Sequence, residues 1–194
     1  MLPARSKRNP DAGLEYARRV YDRVIDWYKV AEAKAQFLLT VNGVLATVAL
    51  GVGSGLGIRL RDLLGPEAWI FLGIAIAGIA AAVVFAAACL LSRHQHNIRV
   101  DLANLGVDPN VPETYRPEAL WYFGHLATLQ TGPAVARLRS AGRKFEIDAL
   151  TYNVIGLSKV VLRKHRFINA AWNSMTVAIL SIIVVGVSLL IRSA

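Results

Sequence analysis

Three long apolar runs dominate the hydrophobic pattern of this chain. Each is long enough to cross a bilayer as a helix, which takes about 20 apolar residues. We place the predicted transmembrane helices at 37–58, 69–92 and 167–191. A soluble core spaces its apolar residues periodically, whereas these runs are almost uninterrupted. The pattern therefore predicts an all-α membrane protein with three transmembrane helices.

A helical stripe precedes the first of these spans. Apolar residues recur three and four positions apart, as in an a/d pattern. The stripe consists of Leu14, Ala17, Tyr21, Val24, Tyr28, Ala31, Ala35 and Leu38. Asp11 can cap its start, and no proline interrupts it. We expect one helix from about Asp11 to Gly53, in which residues 11–36 form an arm ahead of the first span.

Basic residues are divided unequally among the loops. Of the 22 Lys and Arg, 8 precede the first span and 11 lie between the second and the third. Loops rich in Lys and Arg stay in the cytoplasm. The N-terminus and the segment 93–166 are therefore predicted to be cytoplasmic. We expect them to form one helical module, so that residues 1–194 make a single multi-pass domain.

Proline and glycine divide the segment between the second and third spans. The predicted order is a helix continuing through 93–104, an irregular stretch at 106–117, a short helix at 117–130, another from Thr131, and a last helix from about Lys144. No strand pattern is present. The cytoplasmic module is thus expected to be helical throughout.

Polar residues inside the predicted spans limit how the spans pack. Asn42, at shallow depth, is expected to face protein or water instead of lipid. The third span carries two polar stripes: Asn169, Asn173 and Thr176 on one face, and Ser174, Ser181 and Ser188 on another. The serines either line a pore or bond to their own backbone or a neighbouring helix, and the second is more frequent. Three spans enclose no polar path, so we expect a homo-oligomer.

The net charge of +9 has two interpretations. In the first, the basic residues are attracted to anionic membrane lipid. In the second, some of the basic residues bind the phosphate of a ligand. No nucleic-acid-binding motif is present, so nucleic acid is not an expected partner. His94 and His96 point apart on a helix, and the single cysteine, Cys89, lies inside the second span. Because familiar catalytic motifs are also missing, we predict no enzyme, no catalytic residue, no metal site and no cofactor.

Several segments carry a family resemblance. The stretch 31–45, AEAKAQFLLTVNGVL, resembles the opening of the Pycsar membrane effectors. The segment 122–127, YFGHLA, is similar to the family's central aromatic-Gly-His segment. The residues 101–104, DLAN, and the last helix with Tyr152, Lys159 and Lys164 fall where the family pattern places them. The resemblance extends from about Glu15 to Ala171.

This resemblance implies a function. Pycsar effectors of this type are membrane proteins in bacterial antiphage defence. A partner pyrimidine cyclase makes cyclic UMP or cyclic CMP on infection, and the effector senses that nucleotide and impairs the inner membrane. Growth then stops before phage matures, as in abortive infection. The resemblance fixes neither the nucleotide, nor the number of subunits, nor whether the damage is a channel or general disruption.

A cyclic mononucleotide offers one phosphate charge and a flat base, so its site needs a basic group with an aromatic or amide group. The candidate phosphate ligands are Lys159, Arg163 and Arg99. The candidates for the base are Tyr122 or Tyr152 for stacking, and Asn97 or Asn104 for its edge. Each basic residue has the simpler alternative of a contact with solvent or a lipid headgroup.

Two functions of other classes stay open. A membrane scaffold that docks a cytoplasmic protein and binds no nucleotide is favoured by the a/d stripe, because such stripes commonly pair with other chains. A membrane-bound hydrolase would need a catalytic set that the sequence does not supply. A stable protein partner would favour the first, and turnover of a cyclic nucleotide would favour the second.

Overall fold

The computed structural model describes residues 11–91, 102–120 and 123–193, with side chains throughout except at 48–63, Phe123 and Ser193. The helices of this part are α1 (Ala12–Leu63), α2 (Pro66–Leu90), α3 (Phe123–Thr128), α4 (Thr131–Arg139) and α5 (Arg143–Ser193). Two 3-10 turns lie at Pro112–Thr114 and Pro117–Leu120. No strand occurs in the described ranges, which confirms the predicted all-α class.

The helix predicted from Asp11 to Gly53 is confirmed and is longer than expected. It begins where the Glu15 amide donates to the Asp11 carbonyl, and it continues to Leu63. Gly51, Gly53 and Gly55 do not end it, because a glycine inside a helix costs only about 1 kcal/mol. The first residue that cannot continue the helix is a proline, Pro66, which begins α2.

Two of the described helices are long and apolar enough to cross a membrane. They are Pro66–Leu90 and Arg143–Arg192, and the most apolar window of each has a mean hydropathy of 2.6. Only 22% and 17% of those windows are buried, so most of their apolar side chains are at least partly exposed. Soluble proteins rarely expose apolar patches of that size. The predicted span at 37–58 overlaps residues whose side chains lie outside the description, and it stays a prediction.

The chain divides into two compact units. Unit 1 comprises Met1–Tyr28 and Arg93–Val160, and unit 2 comprises Lys29–Ser92 and Val161–Ala194. Residues of α1 and of α5 belong to both units. The prediction of one domain over 1–194 is untested by this division.

Small side chains fill the core of unit 2. One buried cluster consists of Ala35, Leu38, Ala82, Ala86, Cys89, Ile168, Ala171 and Met175, taken from α1, α2 and α5. Alanines let helix backbones approach closely, which is how helices associate where lipid removes the hydrophobic driving force. Asn42 is also buried here, as predicted for a polar group that avoids lipid.

A turn at Gly106 brings together a cluster of buried residues in unit 1. Residues 102–104 are helical, and Gly106 ends that helix with a φ of 67°. Its amide donates to the Ala103 carbonyl and the next amide donates to the Leu102 carbonyl, which is the Schellman pattern. The turn brings Leu102 and Val107 together with Tyr115 and Ala119 in a small buried cluster. Positive φ favours glycine, which explains the residue at this point.

The predictions for the segment between the last two spans are partly confirmed. The helix expected through 93–104 falls mostly on 92–101, outside the described residues. The stretch 106–117 is irregular apart from its 3-10 turn, and α4 and α5 begin at Thr131 and Arg143. The expected helix at 117–130 is a 3-10 turn followed by the short α3, with 121–122 outside the description.

Candidate functional site

The predicted nucleotide-binding residues fall into two groups. Asn97, Arg99 and Tyr122 lie outside the described residues. Asn104 is exposed beside the Gly106 turn in unit 1. Tyr152, Lys159 and Arg163 are exposed on α5. Tyr152 and Lys159 belong to unit 1, and Arg163 belongs to unit 2.

Tyr152 interacts with a residue that the sequence did not single out. The partner of its hydroxyl is the carboxylate of Glu118, which lies on the second 3-10 turn. The Glu118 carboxylate raises the pKa of the Tyr152 phenol, because loss of the proton would place two negative charges side by side. Tyr152 lies ahead of Phe167, where the predicted apolar span of α5 begins. Tyr152 itself is 45% exposed.

One carboxylate oxygen of Glu118, Oε2, is buried without a hydrogen-bond donor among the residues that the structure describes. A buried acceptor without a donor is unusual, since most buried polar atoms are paired. No local pattern marks Glu118 in the sequence, because its contact with Tyr152 joins two distant segments.

Arg137, on α4, is a second residue that the sequence did not single out. Its Nε donates to the carbonyl oxygen of Tyr115 at 3.0 Å, and its guanidinium carbon lies 4.5 Å from the centre of the Phe145 ring. Both contacts fix the guanidinium plane, and stacking on an aromatic ring is typical of arginine. The side chain is only half-buried. Its terminal nitrogens are therefore oriented donors.

One face of α5 carries an aromatic and basic series in unit 1. Phe145, Tyr152 and Lys159 follow at intervals of seven residues, so they share one face with a drift of only about 20° per step. Lys159 makes no ion pair with any described residue. Such a face combines flat rings with positive charge, which suits an anion that carries an aromatic group.

Two basic residues at the start of α1 and α5 in unit 1 are engaged in ion pairs with the other helix or its start. Arg18 on α1 pairs with Glu146 on α5, and Arg143 lies 3.6 Å from Asp11. These pairs tie the predicted arm to α5 within the unit. Because their side chains are largely exposed, each pair contributes at most about 1 kcal/mol. Arg18 and Arg143 thus each have a carboxylate partner, whereas Lys159 has no ion-pair partner among the described residues.

Comparison with known families decides what kind of protein this is. The family model described as Pycsar effector protein domain matches residues 16–192. The chain belongs to the Pycsar effector family. No curated protein and no solved structure matches the chain. The family match reaches beyond the resemblance found from the sequence, which ended at about Ala171, and includes the last apolar run.

Family and structure together define the coarse function. As a Pycsar effector, the protein acts in antiphage defence, and its exposed apolar helices α2 and α5 indicate that it is a membrane protein. Among the described residues of this Pycsar effector, no three His, Cys, Asp or Glu lie together as metal ligands would. The aromatic and basic face of α5 is the candidate site for the signal.

Proposed function

We propose that this Pycsar effector senses a cyclic pyrimidine mononucleotide, cyclic UMP or cyclic CMP, and in response impairs the bacterial inner membrane. A partner pyrimidine cyclase supplies the nucleotide. Residues of unit 1 bind it, and the apolar helices of unit 2 act on the bilayer as a homo-oligomer. The result is growth arrest, or abortive infection.

The observation that carries this proposal is the face of α5 with Tyr152 and Lys159. A pyrimidine base stacks on an aromatic ring, and such stacking contributes about 1–3 kcal/mol per base. The Glu118 carboxylate interacts with the Tyr152 hydroxyl, and the ring itself is accessible to a ligand. Lys159 supplies a positive charge two turns further along the same helix face. These groups match the base and the phosphate of the ligand.

Arg137 is a second candidate for the phosphate. Its guanidinium is fixed by Tyr115 and Phe145, so little side-chain entropy is lost when its terminal nitrogens bind an anion. Arginine binds phosphate through two parallel hydrogen bonds, whereas lysine acts as a point charge. Arg163 stays a separate candidate, because it belongs to unit 2.

A ligand acts on the membrane only if it favours one arrangement of the protein over another. Residues of both units belong to the same two helices, α1 and α5. If a nucleotide binds one arrangement of α5 more tightly, it shifts the equilibrium toward that arrangement. Because α5 also contributes residues to unit 2, the shift can affect unit 2. This continuity supports coupling between the binding of the signal and the response.

Thermal stability against a panel of cyclic mononucleotides tests the sensing step. A ligand that binds only the folded protein adds about 2.7 kcal/mol at a hundredfold excess over its dissociation constant. We expect a shift with cyclic UMP or cyclic CMP, and its loss in Lys159→Ala. Lys144→Ala removes the same charge near the start of the same helix and is the matched control. Arg137→Ala and Arg163→Ala test the other two candidates.

Two results would contradict the sensing proposal. If a well-folded protein responds to none of the nucleotides, a membrane scaffold that docks a protein partner becomes the better interpretation. If Lys159→Ala, Arg137→Ala and Arg163→Ala all keep the wild-type shift, the binding site lies elsewhere. The membrane step has its own test, because nucleotide should release dye from liposomes that contain the purified protein. Absence of release would contradict that step alone.

A further inference from the structure

A groove of about 440 Å³ lies between α2 and α5 in unit 2. Its lining includes Ala77, Gly78 and Ala81 on α2, and Asn173, Ser174 and Val177 on α5. Ala77, Asn173 and Val177 are all exposed, so the groove opens sideways from the helix pair. It lies within the predicted spans 69–92 and 167–191, where lipid would otherwise cover it.

The two helices that form the groove approach closely at Gly78. A Cβ on Gly78 would lie 2.9 Å from the carbonyl oxygen of Ser174 and 3.0 Å from the Cβ of Ala178. Only glycine permits this approach. The small side chains of Ala77 and Ala81 beside it leave room for a further helix at the same close distance.

Two polar side chains in the groove have no partner in the described part of the chain. Asn173 and Ser174 make no side-chain hydrogen bond there. Neighbouring hydroxyls behave differently, because Thr176 donates to the Trp172 carbonyl at 3.0 Å and Ser181 donates to the Val177 carbonyl at 2.9 Å. Asn173 lies about 9 Å past the start of the predicted span. At that depth lipid tails offer its amide neither donor nor acceptor.

We propose that this groove is the interface with a second copy of the chain, with the Asn173 amides of the two copies bonded to each other. An amide both donates and accepts, so two identical residues across a two-fold axis satisfy one another. An axis along the membrane normal keeps both at the same depth. The inference rests on the oligomeric part of the proposed function and gives the surface on which the copies meet.

Other occupants match the groove less well. An acyl chain fits the volume but leaves the Asn173 amide without a hydrogen bond in hydrocarbon. A different membrane protein would need a polar group at the same depth, whereas a second copy carries that group by symmetry. Asn169, one turn earlier on the same helix, is exposed as well, so a second pair of amides extends the interface.

Cross-linking of single cysteines in liposomes tests the interface. The native thiol, Cys89, is buried, so the wild-type protein gives the baseline. Val177→Cys places a thiol in the groove. Ile183→Cys places one at a comparably exposed position about 120° around the same helix. With a short thiol-reactive cross-linker, we expect a covalent dimer from Val177→Cys and none above baseline from Ile183→Cys.

Further substitutions in the Val177→Cys protein identify the contacts. Ala77→Phe fills the groove and should remove the dimer, whereas Val83→Phe, which adds bulk at an exposed position about 120° around α2 from Ala77, should not. Asn173→Leu should weaken association about three- to tenfold, the range of one interhelical hydrogen bond in a membrane.

Three outcomes would overturn the proposed interface: no dimer from Val177→Cys, equal dimer from Ile183→Cys, or a dimer that survives Ala77→Phe. The assay uses purified protein without nucleotide. A failed cross-linking experiment therefore does not contradict nucleotide sensing. A lack of response to the nucleotide panel likewise does not contradict the interface.

Discussion

The ammonium group of Lys164 lies 2.8 Å from Oε1 of Glu32 and 2.8 Å from the carbonyl oxygen of Cys89. One side chain on α5 thereby joins α1 and the last turn of α2 within unit 2. The last carbonyls of a helix have no partner inside it and carry partial negative charge, so a lysine there satisfies and stabilises the helix end. Lys164 is buried, whereas Glu32 is partly exposed.

Replacement of Lys164 should destabilise unit 2. In Lys164→Met, the Glu32 carboxylate and the Cys89 carbonyl lose the same donor. Removal of one partner of a buried pair costs about 3–5 kcal/mol. The partial exposure of Glu32 lowers our expectation to a loss of about 2–3 kcal/mol. Unfolding by sodium dodecyl sulfate in mixed micelles measures it. Arg166→Met, at an exposed position of the same helix, is the control, and an equal loss there would contradict the role of Lys164.

Two glycines of α2 should respond in opposite directions to alanine. Gly78→Ala places a methyl group against the Ser174 carbonyl, and such overpacking costs about 1–3 kcal/mol. Gly73→Ala meets nothing within 4 Å and should raise stability by up to about 1 kcal/mol, since alanine favours helix. The same detergent titration compares them. If both variants are stabilised, α2 and α5 do not touch at Gly78.

Asn42 should be replaceable by leucine at little cost. Its Nδ2 donates to the Leu38 carbonyl at 2.8 Å, while its buried Oδ1 accepts nothing from the described residues. Removal of an acceptor that is already unsatisfied is nearly neutral, so Asn42→Leu should stay within about 1 kcal/mol of wild type. Asn42→Asp should lose about 3 kcal/mol, because it introduces a charge. Equal losses in both variants would show that Oδ1 has a partner of its own.

The interaction between Tyr152 and Glu118 should appear in the alkaline stability of the protein. The phenol holds its proton more tightly in the folded chain, so its contribution is fully present below about pH 10, the ordinary phenol value. It is lost as the pH rises through the raised pKa. Tyr152→Phe should therefore lower the unfolding midpoint at about pH 8, and the difference from wild type should shrink above about pH 10. Tyr16→Phe, at an exposed position, is the control. A constant difference at every pH would contradict the interaction.

Local patterns in the sequence predicted the helices well. The stripe ahead of the first span is confirmed at Val24, Ala31, Ala35 and Leu38, which are all buried. The start of α4 follows from Thr131 with Pro133, and the start of α5 from Gly142. Each of these signals acts within a few residues, so the sequence alone carries it.

Local sequence patterns did not predict the contacts that join distant segments of the chain. Glu118 meets Tyr152, and Lys164 meets the Cys89 carbonyl 75 positions away, only because packing brings separate segments together. A lysine that caps a helix end from another helix looks in sequence like any other basic residue of the loop. Prediction of these contacts needs the arrangement of helices within each unit, which periodicity does not give.

The two ends of α2 are fixed by charged partners from the same helix, α5. Arg192 pairs with Glu67 at the first turn, and Lys164 holds the Cys89 carbonyl at the last. The uncharged stretch between them, Ala68–Cys89, rises about 33 Å, close to the thickness of a bilayer's hydrocarbon layer. Helix pairs adapt to thinner or thicker layers by tilting or sliding. Lys164 opposes that adjustment at one end, and the exposed Arg192–Glu67 pair opposes it only weakly at the other. We therefore expect the stability of the helix pair to depend on the acyl-chain length of the host membrane.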